Sequence, residues 1–251
     1  MAEETHIVKR AIIMAAGQGK RLFPLTLETP KPLLKINGVR MINTAIEGLL
    51  ANGIDEIYVV VGHLKEKFYK WAKNWQSITI IENPYYDTCN NISSLYVARE
   101  KLEDCIILDG DQIIYNKDIL SPYFTRSGYN AVWTDNETNE WLMEEKNGIV
   151  QSCSRKGGAH GWQLYSISRW TAADGRKLKS FLTYEFENGN RQIYWDDVAM
   201  FCHFHDFTLG IRPMQRTDIY EVDNLQELAV IDHSYQKYIT KMEDYNNEQE
   251  S

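Results

Sequence analysis

Four short apolar runs set the pattern of the first half of the chain. Residues 11–14 (Ala-Ile-Ile-Met), 56–61, 78–81 and 105–108 are each too short for a helix and are bounded by polar or small residues, as buried strands are. Between them, residues 41–52, 64–75 and 91–102 read as helices. Ile42, Ala45, Ile46 and Leu49 line one face of the first, and Gly53 stands where a helix stops. Strands alternating with helices of this length predict β-α-β units, a parallel sheet and right-handed crossovers. The second half changes character. Residues 129–134, 140–145, 149–153 and 162–167 read as shorter strands, and residues 171–186 as a helix. A terminal helix is expected from 223 to about 241, with Asp223 as its N-cap, followed by an acidic tail. No repeat or long linker divides the 251 residues. The expectation is one α/β domain: a parallel half (about 10–125), a smaller β-rich half (about 126–225), and a C-terminal helix and tail (226–251).

Composition narrows the partners. The net charge is -8 and no basic stripe is present, which argues against nucleic acid as the main partner. Any phosphate site must then be local, built from a few cations and backbone amides. No apolar run approaches the ~20 residues that span a bilayer, so no membrane insertion is expected. Residues 1–10 are polar and lack the apolar stretch of a signal peptide, which predicts a cytoplasmic protein. The four cysteines form no C-x-x-C pair and read as free thiols. Lys65, Lys67, Lys70 and Lys73 read as a solvated helix face. His203 and His205 lack the spaced pairs of a zinc site and read as ordinary histidines.

The strongest chemistry follows the first strand, in Ala15-Ala16-Gly17-Gln18-Gly19-Lys20-Arg21. Glycines there let backbone N–H groups approach a phosphate, and Lys20 and Arg21 add cation density. A Walker A loop is absent, and the third glycine of a dinucleotide fingerprint is replaced by Leu22. Thr29-Pro30-Lys31-Pro32 holds one lysine between two prolines, on what should be a stiff, extended backbone. In open α/β sheets ligands bind beyond the carboxyl ends of the strands. Both the glycine loop and Asp109-Gly110-Asp111 lie at such ends. Two aspartates there suit Mg²⁺, which takes one or two carboxylates plus phosphate oxygens. In the second half Tyr194-Trp195-Asp196-Asp197 offers a further carboxylate, Asp196 first and Asp197 as the alternate. Trp141 follows Glu140 and Trp195 precedes Asp196, and aromatic faces beside acids recognise quaternary ammonium ions.

The series A-A-G-x-G-x-R, then Pro24, then T-P-K-P resembles the signature of the sugar-phosphate and alcohol-phosphate nucleotidyltransferases. The resemblance implies a Rossmann-like, mostly parallel sheet flanked by helices. It implies a glycine loop that wraps a nucleoside triphosphate through Ala15, Ala16, Gly17, Gly19 and Lys20. Arg21 would contact the leaving pyrophosphate, Lys31 the reacting phosphates, and Asp111, beside Asp109, the metal. More narrowly, Asn90-Asn91, Ser94-Leu95-Tyr96, Asp109-Gly110-Asp111, T-N-E-W (138–141), Y-W-D (194–196) and Y-E-V-D (220–223) resemble the bacterial CTP:phosphocholine cytidylyltransferases, over about residues 11–228. That family implies CTP and a small phosphorylated amino-alcohol as substrates. Asn90, Asn91 and Ser94 would read the base, and Trp141, Tyr194 and Trp195 would cage the choline head. Mg²⁺ would sit on Asp111 and Asp196. Gly110 departs from the family's Asp-Ala-Asp. Related enzymes act on 2-aminoethylphosphonate, phosphoethanolamine or sugar 1-phosphates, and a nucleotide-sensing module without catalysis is the more distant alternative.

Overall fold

The computed structural model describes residues 4–239. The four apolar runs become β1 (Arg10–Ala15), β2 (Ile57–Val61), β3 (Ile78–Glu82) and β4 (Cys105–Asp109). They lie parallel in the order β4-β1-β2-β3. The runs are continuous rather than alternating because both faces of this sheet are covered. Ala11, Ile13 and Ala15 face α1 (Met41–Ala51) and α2 (Lys65–Ala72), whose Ile42, Ile46, Phe68 and Trp71 share their cluster. Ile12 and Met14 face α3 (Ile92–Val97) and α4 (Ala172–Glu187), with Leu95, Leu178 and Phe186. The boundaries of α1 follow the expectation, with Gly53 at φ 75 just beyond it. The expected helix over 91–102 breaks into α3 and a 3-10 turn at Arg99–Lys101. Thr171 caps α4 by accepting from the Asp174 amide.

The later strands are β5 (Gln112–Ile114), β6 (Gly128–Thr134), β7 (Leu142–Lys146), β8 (Ile149–Ser154), β9 (Gly161–Trp170), β10 (Gly210–Pro213) and β11 (Ile219–Glu221). β9 runs antiparallel along β4, with Ser168 opposite Ile107, and joins the two halves into one sheet. Among the described residues its order is β6-β10-β8-β7-β9-β4-β1-β2-β3, and β6 also pairs with β9. The parallel half thus continues into a mainly antiparallel one. β11 pairs with β5 and carries the end of the chain back across the carboxyl end of β4.

The terminal helix departs from expectation. α5 is Leu225–Ile231, capped by Asn224 rather than Asp223. It stops at Asp232, whose extended backbone and carboxylate, bonded to the Asn37 amide, turn the chain. The chain then makes a 3-10 turn at His233–Tyr235 and is helical again over 236–239, so the expected single helix is broken at Asp232; its last residues and the acidic tail lie beyond residue 239, outside the described residues. Among the described residues no helix is long and apolar enough to cross a membrane.

Candidate active site

The glycine loop is held from below. Gly19 adopts φ 62, a left-handed conformation that favours glycine. A Cβ there would lie 3.0 Å from Thr26 Cγ2 and 3.2 Å from Lys31 Cβ. The buried Thr26 hydroxyl donates to the Gly19 carbonyl at 2.9 Å. The His63 amide donates to the Ala16 carbonyl, and His63 Nε2 lies 2.8 Å from the Thr26 carbonyl. The Pro-Lys-Pro segment does not run extended. Pro30 is extended, but Lys31–Leu33 close a 3-10 turn, with Pro32 in the early position where a missing N–H costs nothing. The turn buries Lys31, 6% exposed, and aims its ammonium at Asp111, with Nζ donating to Oδ2 at 2.6 Å.

Asp109 and Asp111 flank a glycine with little room. The Gly110 amide donates to the Met14 carbonyl, and a Cβ would lie 3.1 Å from that oxygen and 3.2 Å from Pro32 Cγ. Burial pushes the Asp109 carboxyl well above the usual range, and the charges of Asp111 and Asp196 push it further. Asp196 is 5% exposed, and burial pushes its carboxyl up to about 8. Its Oδ1 and the neighbouring Tyr129 hydroxyl are both buried without a partner of ordinary hydrogen-bond geometry, but the phenol lies close enough to favour the carboxylate's charged form against its burial. Glu221 is raised by burial first, then by Asp111, Asp109 and Asp223. Five interacting carboxyls, Asp109, Asp111, Asp196, Glu221 and Asp223, with one buried lysine among them form a site short of positive charge. Among the described residues no three His, Cys, Asp or Glu side chains form a ready metal cage. Mg²⁺ does not need one, because phosphate oxygens and waters complete its shell.

The turn at Trp195–Asp197 sends its residues in different directions. Tyr194 is half exposed toward the cleft. Trp195 is a correction to the expected cage. It is fully buried, stacked on Tyr129 at 6.1 Å and set edge-on to Trp170 at 6.3 Å. Asp197 is also excluded as a metal ligand: its carboxylate accepts from Arg155 and from the Tyr194 amide. Only Asp196 of the pair enters the site. His203, stacked on Phe181 and bonded to Glu185, is a packed histidine as expected.

These groups line one cleft with two lobes. The first, about 400 Å³, holds Ala15, Ala16, Gly17, Gly19, Lys20 and Lys31, with Ser94 and Asp111 opposite. The second, about 280 Å³, holds Glu140, Trp141, Leu164, Ser166 and Asp196. Arg21, Asn91, Asp109, Tyr194, Glu221 and Asp223 border both. Asn91 also ties the halves together, its Oδ1 accepting from the Trp195 amide at 2.8 Å. Asn90 is a second correction. It lines neither lobe and instead fastens the Arg191 and Gln192 carbonyls. Arg21 is engaged within the cleft, with Nη2 paired to Asp223 Oδ1 at 2.7 Å. Glu221 was given no role from sequence, and Asp223 only that of a helix cap. Their signal was the alternation Glu-Val-Asp at a strand end, which turns Val222 into the core and both acids to the other side.

The family model described as nucleotidyl transferase matches residues 10–127. A 2-aminoethylphosphonate cytidylyltransferase of Lancefieldella rimae is 37% identical over 239 residues, 93% of this chain and 94% of that protein. A choline-phosphate cytidylyltransferase of Streptococcus pneumoniae is 31% identical over 87% of this chain and 94% of its own. The solved CTP:phosphocholine cytidylyltransferase of Streptococcus pneumoniae superposes with a TM-score of 0.81 at 30% identity, over 89% of this chain and 97% of that one. An inositol-1-phosphate CTP transferase of T. maritima shares the fold at 15% identity and a TM-score of 0.73. With relatives of this identity matched along nearly their whole length, the chain belongs to the nucleotidyltransferase family, in the branch that includes these bacterial cytidylyltransferases.

Proposed function

We propose that the protein transfers the cytidylyl group of CTP to a phosphonate or phosphate oxygen of a small amine, with 2-aminoethylphosphonate the acceptor its site fits best. The observation that carries the choice of acceptor is the makeup of the second lobe. Glu140, Glu221 and Asp223 line it beside Asp196, while the aromatics are reduced to Trp141 and Tyr194 because Trp195 is core. A primary ammonium has three N–H donors to give to such carboxylates, whereas a trimethylammonium has none and needs aromatic faces. The Arg155 guanidinium already lies 5.8 Å from the Trp141 ring centre. The Lancefieldella rimae relative supports the same reading. Phosphocholine is the second reading, supported by the perpendicular Trp141–Tyr194 pair, 5.9 Å between centres, and by the Streptococcus pneumoniae relative.

In this reading the glycine loop and Lys31 hold the triphosphate, and Asn91 and Ser94 lie on the far wall for the nucleoside. An acceptor oxygen attacks the α-phosphorus, the bond to the α–β bridging oxygen breaks, and pyrophosphate leaves. The attacking oxygen is already anionic, so no general base is needed. Catalysis is then positioning and charge neutralisation. Arg21 exchanges Asp223 for phosphate oxygens, which also frees Asp223 for the acceptor's ammonium. Asp111 and Asp196, with Asp109 beside them, fit Mg²⁺, because Asp196 Oδ1 is buried and unpartnered among other acids. Mg²⁺ bound there would neutralise charge on the reacting phosphates.

The test is pyrophosphate release with each nucleoside triphosphate against 2-aminoethylphosphonate, phosphoethanolamine, phosphocholine and sugar 1-phosphates. The expected result is the highest kcat/KM for CTP with 2-aminoethylphosphonate, at least about 10-fold above phosphocholine, equivalent to ~1.4 kcal/mol. Preference for phosphocholine would replace the acceptor and leave cytidylyl transfer standing. Nucleotide binding without pyrophosphate release from any pair would overturn the activity itself.

A further inference from the structure

A second cavity, about 540 Å³, opens away from the active-site cleft. Its described lining includes Arg169 and Arg212 and contains no Asp or Glu, in a chain of net charge -8. Its position follows from register. Arg169 of β9 stands opposite Ile106 near the start of β4, whereas the active-site Asp109 ends that strand. Three residues of strand separate them, about 10 Å, and the cavity lies at the amino end of the parallel strands.

Arg169 is 2% exposed. Its Nε donates to the Ser121 carbonyl at 3.0 Å, Nη1 to Asn130 Oδ1 at 2.7 Å and Nη2 to the Ile119 carbonyl at 2.7 Å. All three partners are neutral. A guanidinium has five N–H groups, so one on each Nη is left over. Arg212 faces Asn130 in the β6–β10 register, and its Nη1 donates to the Tyr123 carbonyl at 2.7 Å, again a neutral partner. Among the described residues no carboxylate pairs with Arg169 or Arg212. Burial, and next the charge of Arg212, hold Arg169 well below the usual guanidinium range, with no acid opposing them. Buried charges in folded proteins are normally paired, because desolvating an ion costs several kcal/mol. Among the described residues, the Arg169 and Arg212 guanidiniums share a cavity without a carboxylate between them. Gly128 and Gly210 keep the floor free of side chains, and the half-exposed Tyr123 ring stands on the wall.

We propose that this cavity is a second, non-catalytic site that binds the phosphate or phosphonate group of a small molecule between Arg169 and Arg212. The chemistry is that of oxyanion recognition by arginine forks. The anion could be inorganic, or the phosphate of a nucleotide whose base lies on Tyr123. The inference does not depend on which acceptor the active site takes.

The experiment is calorimetric titration of the full chain with inorganic phosphate, pyrophosphate, CMP and CTP, in wild type, Arg212→Gln and Arg212→Lys. Arg212 is tested because removing Arg169 risks the fold. Wild type should bind two equivalents of pyrophosphate, and Arg212→Gln should lose one or weaken it at least about 10-fold. Arg212→Lys should recover part of the loss, and kcat/KM at low phosphate should stay within about 2-fold. A second equivalent of CMP or CTP with the same Arg212 dependence identifies a nucleotide; its restriction to phosphate and pyrophosphate identifies a free oxyanion. A single equivalent in wild type, or two equally tight ones in Arg212→Gln, overturns the site. So does a changed oligomeric state in Arg212→Gln with unchanged anion binding, which would assign these arginines to a subunit contact.

Discussion

Tyr194, Trp195, Asp196 and Asp197 are adjacent in sequence and do different work, because a helical turn rotates each side chain about 100° from the last. Tyr194 reaches the cleft, Trp195 fills the core, Asp196 enters the acid cluster and Asp197 holds Arg155. Two tryptophans that read alike in sequence should therefore fail differently. Trp195→Ala empties a fully buried site and should cost about 3–5 kcal/mol of stability, read as a large drop in Tm. Trp141→Ala should leave Tm within a few degrees and raise KM for the acceptor by roughly 3- to 30-fold, the value of one aromatic contact to a cation. A stable Trp195→Ala protein with only a higher acceptor KM would contradict the packing assigned to it.

At the scale of elements, the glycine loop works because the helix turn, the Thr26 hydroxyl and the Lys31 turn close around it. Its shape is set before any phosphate arrives. Gly19→Ala tests this. The added methyl takes a left-handed backbone and meets Thr26 at 3.0 Å, so about 1–2 kcal/mol of stability should be lost. Displacement of Lys31 should raise KM for CTP at least ~10-fold while leaving the acceptor KM nearly unchanged. Gly17 provides the internal control. A Cβ there meets nothing within 4 Å, so Gly17→Ala should keep Tm and act only on nucleotide binding. Equal stability losses in the two variants would show that the loop is not packed as described.

Across the whole molecule, the cleft gathers acids at a cost that retained protons or a bound cation relieve. Asp109, Asp196 and Glu221 all have raised carboxyl values in the fold, Asp196 to about 8. A folded carboxyl raised above its unfolded value keeps a proton that the unfolded chain has lost. Stability from it is therefore complete below about pH 4 and is lost as pH rises toward 8. In chelator, Tm should fall between pH 5.5 and 8, by on the order of 1–3 kcal/mol of stability. Asp196→Asn should flatten that fall and raise Tm at pH 8, while reducing turnover by about 10²-fold or more. Millimolar Mg²⁺ with CTP should also flatten it in wild type but not in Asp196→Asn. A pH-independent Tm in chelator would mean that these carboxyls do not share a buried site.

How much was legible follows from how local each signal is. The parallel strands, α1 and the glycine loop depend on neighbours within a turn or a strand, and hydrophobic spacing, Gly53 and the small residues after β1 specified them directly. The resemblance assigned Lys31 to the reacting phosphates and Asp111 to the metal, but neither their ion pair nor the 3-10 turn that aims the lysine was legible. Strand alternation at Glu221-Val222-Asp223 was visible, but nothing nearby in sequence said which ligand those acids would face. What only the tertiary structure decided are the directions of side chains at contacts spanning the chain. Arg21 meets Asp223 two hundred residues away, β9 joins the halves, Asn90 fastens a loop while Asn91 stays in the cleft, and Trp195 packs on Tyr129 and Trp170. An aromatic beside an acid has the same sequence signature in a cage and in a core. The difference is the solvent exposure of its ring, and that is fixed only when distant elements close over it.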